Sequence, residues 1–321
     1  MSEHEEFRSL PYINDSLVKK DIINNNSRNY EELQYLNLIQ NILDNGFLEE
    51  GRNGKTQSIF GGSMRFSLKN GKIPILTTKK VAWKTCLKEL LWFIRGETDN
   101  KILQRENVHI WDGNASKEFM KSVGLGHYPE GILGTIYGYQ WRHFNAPYDV
   151  RTGNVLDENQ RGIDQLQYII DQLKNPETRN SRRLIMTAWN PCQLNKMVLP
   201  PCHMMCQFNV HDGNKLSCCM YQRSVDVPIG SPFNIASYSF LTHLLAKHCD
   251  LEAHEFIYFM GNCHIYEEHF ESIKGQLERE PFEFPSLEIS NKRENINDYV
   301  VDDFKIIGYN SHEAIKMTMI A

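Results

Sequence analysis

A predicted β-hairpin near the middle of the chain constrains the fold more than any other sequence feature. Two segments of strand-like composition, MMCQFNV and KLSCCMYQRS, flank HDGN, in which Asp212-Gly213 is a strong turn signal. The two strands are therefore expected to pair antiparallel. That pairing places the far end of the second strand, Tyr221 to Ser224, beside Cys202 to Cys206, so polar groups gather around one cysteine.

Helices and other strands alternate irregularly around this hairpin. VAWKTCLKELLWFIRGETDN has the broadest apolar stripe and predicts a buried helix that ends at Gly96. A loop from Leu48 is expected to lead into a strand over Ile59 to Leu68, and 145–161 reads as a polar surface insertion. The mixture predicts a single α+β (mixed α/β) domain over 29–321, with 1–28 as a flexible N-terminal arm.

Composition limits the kinds of partner and the cellular location that are expected for the chain. The chain has 321 residues and a formal net charge of -5, which argues against a dominant surface for polyanions such as nucleic acid. The acidic N-terminus lacks a signal peptide, and no stretch reaches the length of a membrane span, so a cytoplasmic location is expected. In that setting the 8 cysteines are expected to be reduced thiols.

A zinc site and a nucleophile are the two functional explanations for these thiols. Five candidate ligands lie close in sequence: Cys202, His203, Cys206, Cys218 and Cys219. The spacing contains no C-x-x-C, and adjacent strand residues point to opposite faces, so four ligands would not converge easily. We therefore expect no metal, and most of the cysteines are expected to be buried apolar residues.

Cys202 differs because it follows two prolines. Pro200-Pro201 stiffens the approach and holds the sulfur at a defined place, as a nucleophile requires. Arg223 is the expected neighbour of this thiol and of an anion. A buried structural cysteine remains the alternative explanation.

Several other side chains allow both a functional and a structural interpretation. Arg182-Arg183 can grip a phosphate or form surface ion pairs. Asn234 can read a pyrimidine edge or cap a helix. Glu89 can be a solvated helix residue or a buried carboxyl of raised pKa that passes protons.

Residues of the aromatic-rich segments also allow both a functional and a structural interpretation. Trp111, Asn114 and Tyr137 lie in glycine-broken segments that can wall a ring-shaped ligand or fill the core. His264 and Tyr266 alternate on one face of a predicted strand, where they can bond a sugar hydroxyl or simply pack.

Seven ordered motifs resemble those of thymidylate synthase. In sequence order they are ELLWFIRGET, IWDGNAS, YGYQWRHF, SRRLIMTAWNP, LPPCHMMCQF, YQRSVDVPIGSPFNIASYS and CHIY. The similarity runs from about residue 30 to the C-terminal IKMTMIA, and insertions near 117–130 and 145–161 resemble eukaryotic-type members.

The resemblance implies a methyltransferase that reductively methylates dUMP to dTMP. The cosubstrate 5,10-methylenetetrahydrofolate would supply carbon and hydride and leave as dihydrofolate, after Cys202 attacks uracil C6. The fold implied is a large mixed β-sheet flanked by helices, with the other sheet face packing in a homodimer.

The resemblance also implies roles for individual residues of these motifs. The resemblance gives Cys202, Glu89, Tyr137, His203, Asp226, Asn234 and Arg223 parts in catalysis. It gives substrate binding to Arg52, Gln222, Arg223, Ser224, Asp226, Asn234, His264 and Tyr266, with Arg182 and Arg183 contributed from the second subunit. It gives folate binding to Lys79, Trp111, Asn114, Asp226 and the closing tail that ends at Ala321.

Three departures from the family pattern stand out. RNGKTQS, from Arg52 to Ser58, is one residue shorter than the usual phosphate loop, so Arg52 or Lys55 is left to grip the phosphate. The family's D-x-H-x-Y begins here with Asn262, and its D-L-G-P is replaced by Ile132-Leu133-Gly134-Thr135. A nucleotide hydroxymethylase that ends with water, and a non-catalytic homologue that keeps the dimer, remain the alternatives.

Overall fold

A six-stranded mixed sheet forms the centre of the structure, a computed structural model that describes residues 29–51 and 54–318. The strand order is β1-β2-β8-β7-β6-β5, and only β7 and β8 run parallel. These strands are β1 (Phe47–Gly51), β2 (Gly54–Ser67), β5 (Ile185–Thr187), β6 (His203–His211), β7 (Lys215–Asp226) and β8 (Glu252–Tyr266). Two small hairpins add β3 (Tyr148–Asp149) with β4 (Asn154–Val155), and β9 (Ser286–Ile289) with β10 (Phe304–Ile307).

Helices flank this sheet. They are α1 (Tyr30–Asn45), α2 (Trp83–Ile94), α3 (Asn100–Arg105), α4 (Asp112–Ala115), α5 (Lys117–Ser122), α6 (Tyr137–His143), α7 (Gln165–Lys174), α8 (Gly230–His248) and α9 (Phe270–Leu277). Short 3-10 turns occur at Lys69–Gly71, Leu194–Lys196, Glu267–His269, Ile296–Asp298 and Val301–Asp303. The predicted fold, a large mixed sheet flanked by helices in one domain, is confirmed.

Helix α8 is buried along most of its length because it packs between the sheet and α2. The ring of Tyr238 stacks on Phe256 of β8 at 6.0 Å, and Phe240 meets Trp83 of α2 at 6.2 Å. Each fully buried aromatic or aliphatic side chain contributes roughly 1.5–3 kcal/mol of burial free energy. This sandwich therefore fixes the side chains at the start of α8 relative to the ends of β7 and β8.

The central hairpin is confirmed, and its turn explains the register. Asp212 and Gly213 both adopt positive φ, 48° and 81°, which suits a two-residue hairpin turn. His203 pairs with Gln222, and the amide of Arg223 donates to the Cys202 carbonyl at 2.9 Å. A register shift between His203 and Met205 marks a β-bulge next to Cys202.

The parallel pairing of β7 with β8 brings a second row of polar residues to the same end of the sheet. Ser224 lies opposite Asn262, and Asp226 lies opposite His264. The amide of Val227 extends the ladder by donating to the His264 carbonyl at 3.0 Å. Two strands that are distant in sequence therefore end together beside the start of α8.

A buried carboxylate on α1 organises the segment that leads to Lys79. Glu32 is fully buried and accepts hydrogen bonds of 2.7–2.9 Å from the backbone and hydroxyl groups of Thr77 and Thr78. The same segment receives the C-terminal residues, since Arg279 donates to both the Thr78 and Glu313 carbonyls. A satisfied network of this kind holds two loops in one arrangement.

Two local predictions were wrong. The loop expected from Leu48 is instead a hairpin of β1 and β2, because the strand extends to Gly54, well before Ile59. The helix expected after Asn234 already begins at Gly230, with Ile229 at its N-cap. Pro232 is tolerated there because the first turn of a helix does not use its backbone N–H groups.

Some predictions are not decided by the fold. The arm at 1–28 lies outside the described residues, so its predicted flexibility stays a prediction. In the described ranges no helix is long and apolar enough to cross a membrane. The cytoplasmic location stays a prediction.

Candidate active site

The thiol of Cys202 lies half-buried at the start of β6, held on two sides. The backbone N–H of Cys202 donates to the Tyr137 hydroxyl at 2.8 Å, and the Nη2 of Arg223 lies 3.9 Å from the Cys202 sulfur. Arg223 is itself fixed, because its Nε and Nη2 donate to the carbonyls of Pro201 and Pro200 at 2.9 Å each. The two prolines thus do more than stiffen the chain, since they orient the cation beside the thiol.

Burial raises the pKa of Cys202, while the Arg223 guanidinium and a hydrogen bond with Tyr137 oppose that rise. A cation close to sulfur stabilises the thiolate, which is the nucleophilic form. Arg223 also has Trp189 at 5.5 Å from its guanidinium carbon. Arg223 therefore favours the thiolate against the effect of burial.

Tyr137 and His203 form a stacked pair beside the thiol, with ring centroids 4.1 Å apart. Burial lowers the pKa of His203 to about 3, so its ring is neutral at physiological pH. Its Nδ1 lies 2.8 Å from the Tyr238 hydroxyl. Burial also raises the pKa of Tyr137 well above 10, so this phenol stays protonated and can donate a hydrogen bond.

Glu89 is a partly buried carboxyl, as the functional interpretation of this residue expected. The indole Nε1 of Trp111 donates to its Oε1 at 2.7 Å. Burial raises the pKa of Glu89 to about 7, although the Trp111 hydrogen bond works against the rise. A carboxyl that is half ionised near neutral pH is suited to accept and return protons.

Asn234 lies inside α8, so helix capping does not explain it. Its Nδ2 donates to Oε1 of Gln222 at 2.7 Å. The Nε2 of Gln222 in turn donates to the Ser224 carbonyl at 2.9 Å. The two amides are thus ordered together at the junction of β7 and α8.

Asp226 is the last residue of β7 and lies just before α8. Its Oδ1 accepts from the Ile229 amide at 3.2 Å. Burial raises its pKa, while His269 and Lys79 act in the opposite direction. Burial lowers the pKa of Lys79 to about 8, and its amine donates to the Pro228 carbonyl. His269 also contacts the carbonyl of Thr318 at 3.0 Å, so the C-terminal segment runs close to Asp226.

His264 and Tyr266 lie at the end of β8 with ring centroids 5.3 Å apart. The Nδ1 of His264 is 2.8 Å from Oδ1 of Asn262, the residue that departs from the family pattern. Burial lowers the pKa of His264 to about 4, so its neutral ring donates through Nδ1–H and leaves Nε2 as an acceptor.

Not every predicted site residue joins this group. Arg182 and Arg183 are exposed just before the edge strand β5, where one chain cannot test a contact across subunits. Asn114 is buried in the short helix α4. Arg52 and Ala321 lie outside the described residues.

Three residues beside the site escaped the sequence interpretation: Trp189, Tyr238 and Tyr258. Tyr258 donates to Gln222 at 2.6 Å, within the same amide cluster. The strand alternation that joined His264 and Tyr266 extends back through Asn262 to Tyr258 and would have found it. Tyr238 lies in an apolar helical pattern with Ile235 and Leu241, and no sequence signal separates its hydroxyl from its ring.

That no metal is needed stays a prediction, and the structure bears on it only through residues 29–51 and 54–318. No three His, Cys, Asp or Glu side chains converge in those ranges as metal ligands would. All 8 cysteines lie in the described ranges and are unbridged.

Sequence comparisons with known proteins give matches over most of the chain. The family profile described as "Thymidylate synthase" matches residues 33–321. A bifunctional dihydrofolate reductase-thymidylate synthase of Zea mays is 49% identical over 292 residues, which are 90% of this chain and 54% of that protein. Its counterpart in Leishmania major is 48% identical over 295 residues, covering 91% of this chain and 56% of that protein. The chain thus spans just over half the length of these relatives.

Proposed function

The chain belongs to the thymidylate synthase family, and we propose that it converts dUMP and 5,10-methylenetetrahydrofolate into dTMP and dihydrofolate. The observation that carries the proposal is the Cys202 thiol beside the guanidinium of Arg223, with the ordered amides of Gln222 and Asn234 at the end of the same strand pair. The thiol is a nucleophile, the guanidinium stabilises its thiolate, and the amides can bind the edge of a pyrimidine, so the three together suit nucleophilic addition to a pyrimidine nucleotide.

Cys202 acts as the nucleophile at C6 of the uracil ring. Addition of its thiolate moves the C5–C6 π electrons into an enolate, which makes C5 nucleophilic. Arg223 stabilises the thiolate before attack, and the neutral amide of Asn234 supplies a donor and an acceptor to the pyrimidine edge. The folate supplies the one-carbon unit and then the hydride.

Arg223 also retains donors for the phosphate of the nucleotide. A guanidinium has five N–H groups. Its Nε–H and the two Nη2–H groups are directed at Pro201, Pro200 and Cys202. The two Nη1–H groups remain, and we infer that they bind the phosphate with Ser224 and, through the shortened loop, Arg52.

Glu89, Tyr137 and His203 handle the proton that leaves C5. Glu89 has a pKa near the operating pH, and the protonated Tyr137 hydroxyl is hydrogen-bonded to the Cys202 backbone. The neutral ring of His203 stacks on Tyr137 and fixes its orientation. We assign Glu89 and Tyr137 to the proton relay, with His203 and Gln222 as its supports.

The folate pocket is assigned to Trp111, Asn114, Asp226 and Lys79, with Ala321 at the end of the closing tail. The partly buried carboxylate of Asp226 can accept from the N–H groups of a pterin ring, and the indole of Trp111 offers a flat wall. The ribose is assigned to His264 and Tyr266. The contact of His269 with Thr318 supports closure of the C-terminal segment over this side of the site.

The sheet face opposite the helices supports the homodimer. Tyr221 and Phe259, which pair across β7 and β8 on this face, are 36% and 45% exposed, which is unusual for aromatic residues on a central sheet. We propose that a second copy covers this face and brings Arg182 and Arg183 to its partner's phosphate. No metal is required in the proposed reaction.

An assay of dihydrofolate absorbance, with the nucleotide product identified by mass spectrometry, tests the function. We expect dTMP and dihydrofolate in equal amounts from the wild-type chain. The Cys202→Ala variant should lose turnover and still bind dUMP. Formation of 5-hydroxymethyl-dUMP without dihydrofolate would instead identify a hydroxymethylase, and absence of turnover would favour a non-catalytic homologue.

A further inference from the structure

A chain of hydrogen bonds runs from the buried interior of β8 to Asn234. The hydroxyl of Tyr258 donates to Oε1 of Gln222 at 2.6 Å, and Nδ2 of Asn234 donates to the same oxygen at 2.7 Å. The Nε2 of Gln222 donates to the Ser224 carbonyl at 2.9 Å. Both lone pairs of the Gln222 oxygen are therefore filled, and its nitrogen faces an acceptor.

This arrangement fixes the amide of Asn234 in one of its two orientations. A rotation of that amide by 180° would set its oxygen against the oxygen of Gln222, and two acceptors cannot bond each other. Gln222 cannot rotate to relieve the conflict, because its own oxygen would then face the Ser224 carbonyl. Gln222 thus sets the order in which Asn234 presents its donor and its acceptor.

That order distinguishes two pyrimidines. Uracil offers an N–H at N3 and a carbonyl at C4, whereas cytosine offers a bare nitrogen and an amino group, which is the reverse pattern. An amide free to rotate can satisfy either base. An amide held in one orientation matches only one of them, and a buried mismatch leaves groups unpaired.

Tyr258 completes the arrangement. Its side chain is fully buried, and burial raises its pKa well above 10, so the phenol stays protonated. The phenol lies close to the candidate site, because its hydrogen-bond partner Gln222 also accepts from Asn234. Without this hydroxyl, the Gln222 oxygen would keep an unfilled lone pair in the interior, and its hold on Asn234 would loosen.

We propose that Tyr258 is a positioning residue that enforces selection of uracil over cytosine nucleotides, acting through Gln222 and Asn234. The inference rests on the proposed function, because it takes Asn234 as the group that reads the base. It extends that function to a residue in the interior of the sheet that does not touch the nucleotide.

The Tyr258→Phe variant tests the proposal because it removes only the hydroxyl. The dissociation constants of dUMP and dCMP are measured at equilibrium without folate, in wild-type and variant protein. We expect the ratio of the dCMP constant to the dUMP constant to fall by about tenfold, the effect of one buried hydrogen bond. In turnover, KM for dUMP should rise more than kcat falls.

Two further variants separate positioning from general damage. Tyr299→Phe removes another fully buried phenol hydroxyl, which accepts from the Arg293 amide at 3.1 Å, and should leave the ratio unchanged. Gln222→Leu breaks the relay, so adding Tyr258→Phe to it should change the ratio no further. Thermal midpoints are recorded for every variant, so that a loss of folding is recognised.

The outcomes separate the inference from the proposed function. A wild-type chain that selects dUMP, together with an unchanged ratio in Tyr258→Phe, overturns the role of Tyr258 alone. An equal additional loss in the Gln222→Leu background overturns the relay. A wild-type chain that binds dUMP no tighter than dCMP contradicts the proposed substrate, and the inference fails with it.

Discussion

The carboxyl of Glu89 accepts a 2.7 Å hydrogen bond from the indole nitrogen of Trp111, and its burial raises its pKa to about 7. The indole is a neutral donor, so it stabilises the charged carboxylate only partly. The Glu89 carboxyl is therefore kept near the midpoint of its titration at physiological pH. Such a group is useful for moving protons, and it also costs stability.

Glu89→Gln should stabilise the protein while reducing turnover. The folded-state pKa of about 7 exceeds the usual 4.5, so ionisation of this carboxyl opposes folding as the pH rises between these values. Glutamine does not ionise, so at pH 8 the free energy of unfolding should increase by about 3 kcal/mol. The gain should shrink toward zero as the pH approaches 4.5.

Urea unfolding at pH 8 and pH 5, at equal protein concentration, measures this difference, and the activity assay should show kcat reduced by about 10²–10⁴-fold. An equal stability change at both pH values would contradict a raised pKa at Glu89.

Arg223→Gln should slow the alkylation of Cys202. The guanidinium lowers the pKa of this thiol, so its loss raises the pKa and leaves less thiolate at pH 8. We expect the rate with iodoacetamide to fall by about tenfold for a shift of one pKa unit. Peptide mass spectrometry follows Cys202 separately from the exposed Cys192.

Arg223→Lys is the matched control for that experiment, since it keeps a positive charge near the sulfur and should react at an intermediate rate. Equal rates in all three proteins would exclude Arg223 as the group that stabilises the thiolate.

Asn262→Asp should make the nucleotide site sensitive to pH. The Nδ1–H of His264 donates to the Asn262 oxygen, and a carboxylate there would favour the charged imidazolium. The pKa of His264 should rise from about 4 by 1–3 units, bringing its titration toward neutral pH. NMR of the histidine rings gives the pKa, and KM for dUMP should rise as the pH falls through it.

Asn37→Asp adds the same charge at an exposed position of α1 and should leave both quantities as in the wild type. If Asn262→Asp leaves the His264 titration unchanged, the amide does not determine the state of that ring.

Mixing two inactive variants should restore activity if sites are shared between subunits. Arg183→Ala would damage the phosphate site of the partner, and Cys202→Ala removes the nucleophile. A mixed dimer contains one site with both residues intact, so an equimolar mixture should recover at most about a quarter of wild-type activity. Subunit exchange is verified by native mass spectrometry of differently tagged chains, and exchange without recovery would refute the shared site.

Sequence patterns located most of the fold because they depend on neighbours along the chain. The turn at Asp212-Gly213 fixed the register that brings Arg223 to Cys202, and the apolar stripe of α2 gave its burial and its end at Gly96. The start of α8 was missed because it includes Pro232 and Gly230, which usually interrupt helices, and packing against the sheet overrides that preference. The hairpin of β1 and β2 was missed because its polar residues resemble a loop.

The sequence by itself determined the family and the hairpin beside Cys202, since motifs and turn chemistry are local properties. Only the tertiary structure decided the chemical state of the surrounding groups. The raised pKa of Glu89 depends on burial by residues far along the chain, and the orientation of Asn234 depends on Tyr258 from a strand that follows it. Desolvation and hydrogen bonding between distant segments exist only once the chain has folded.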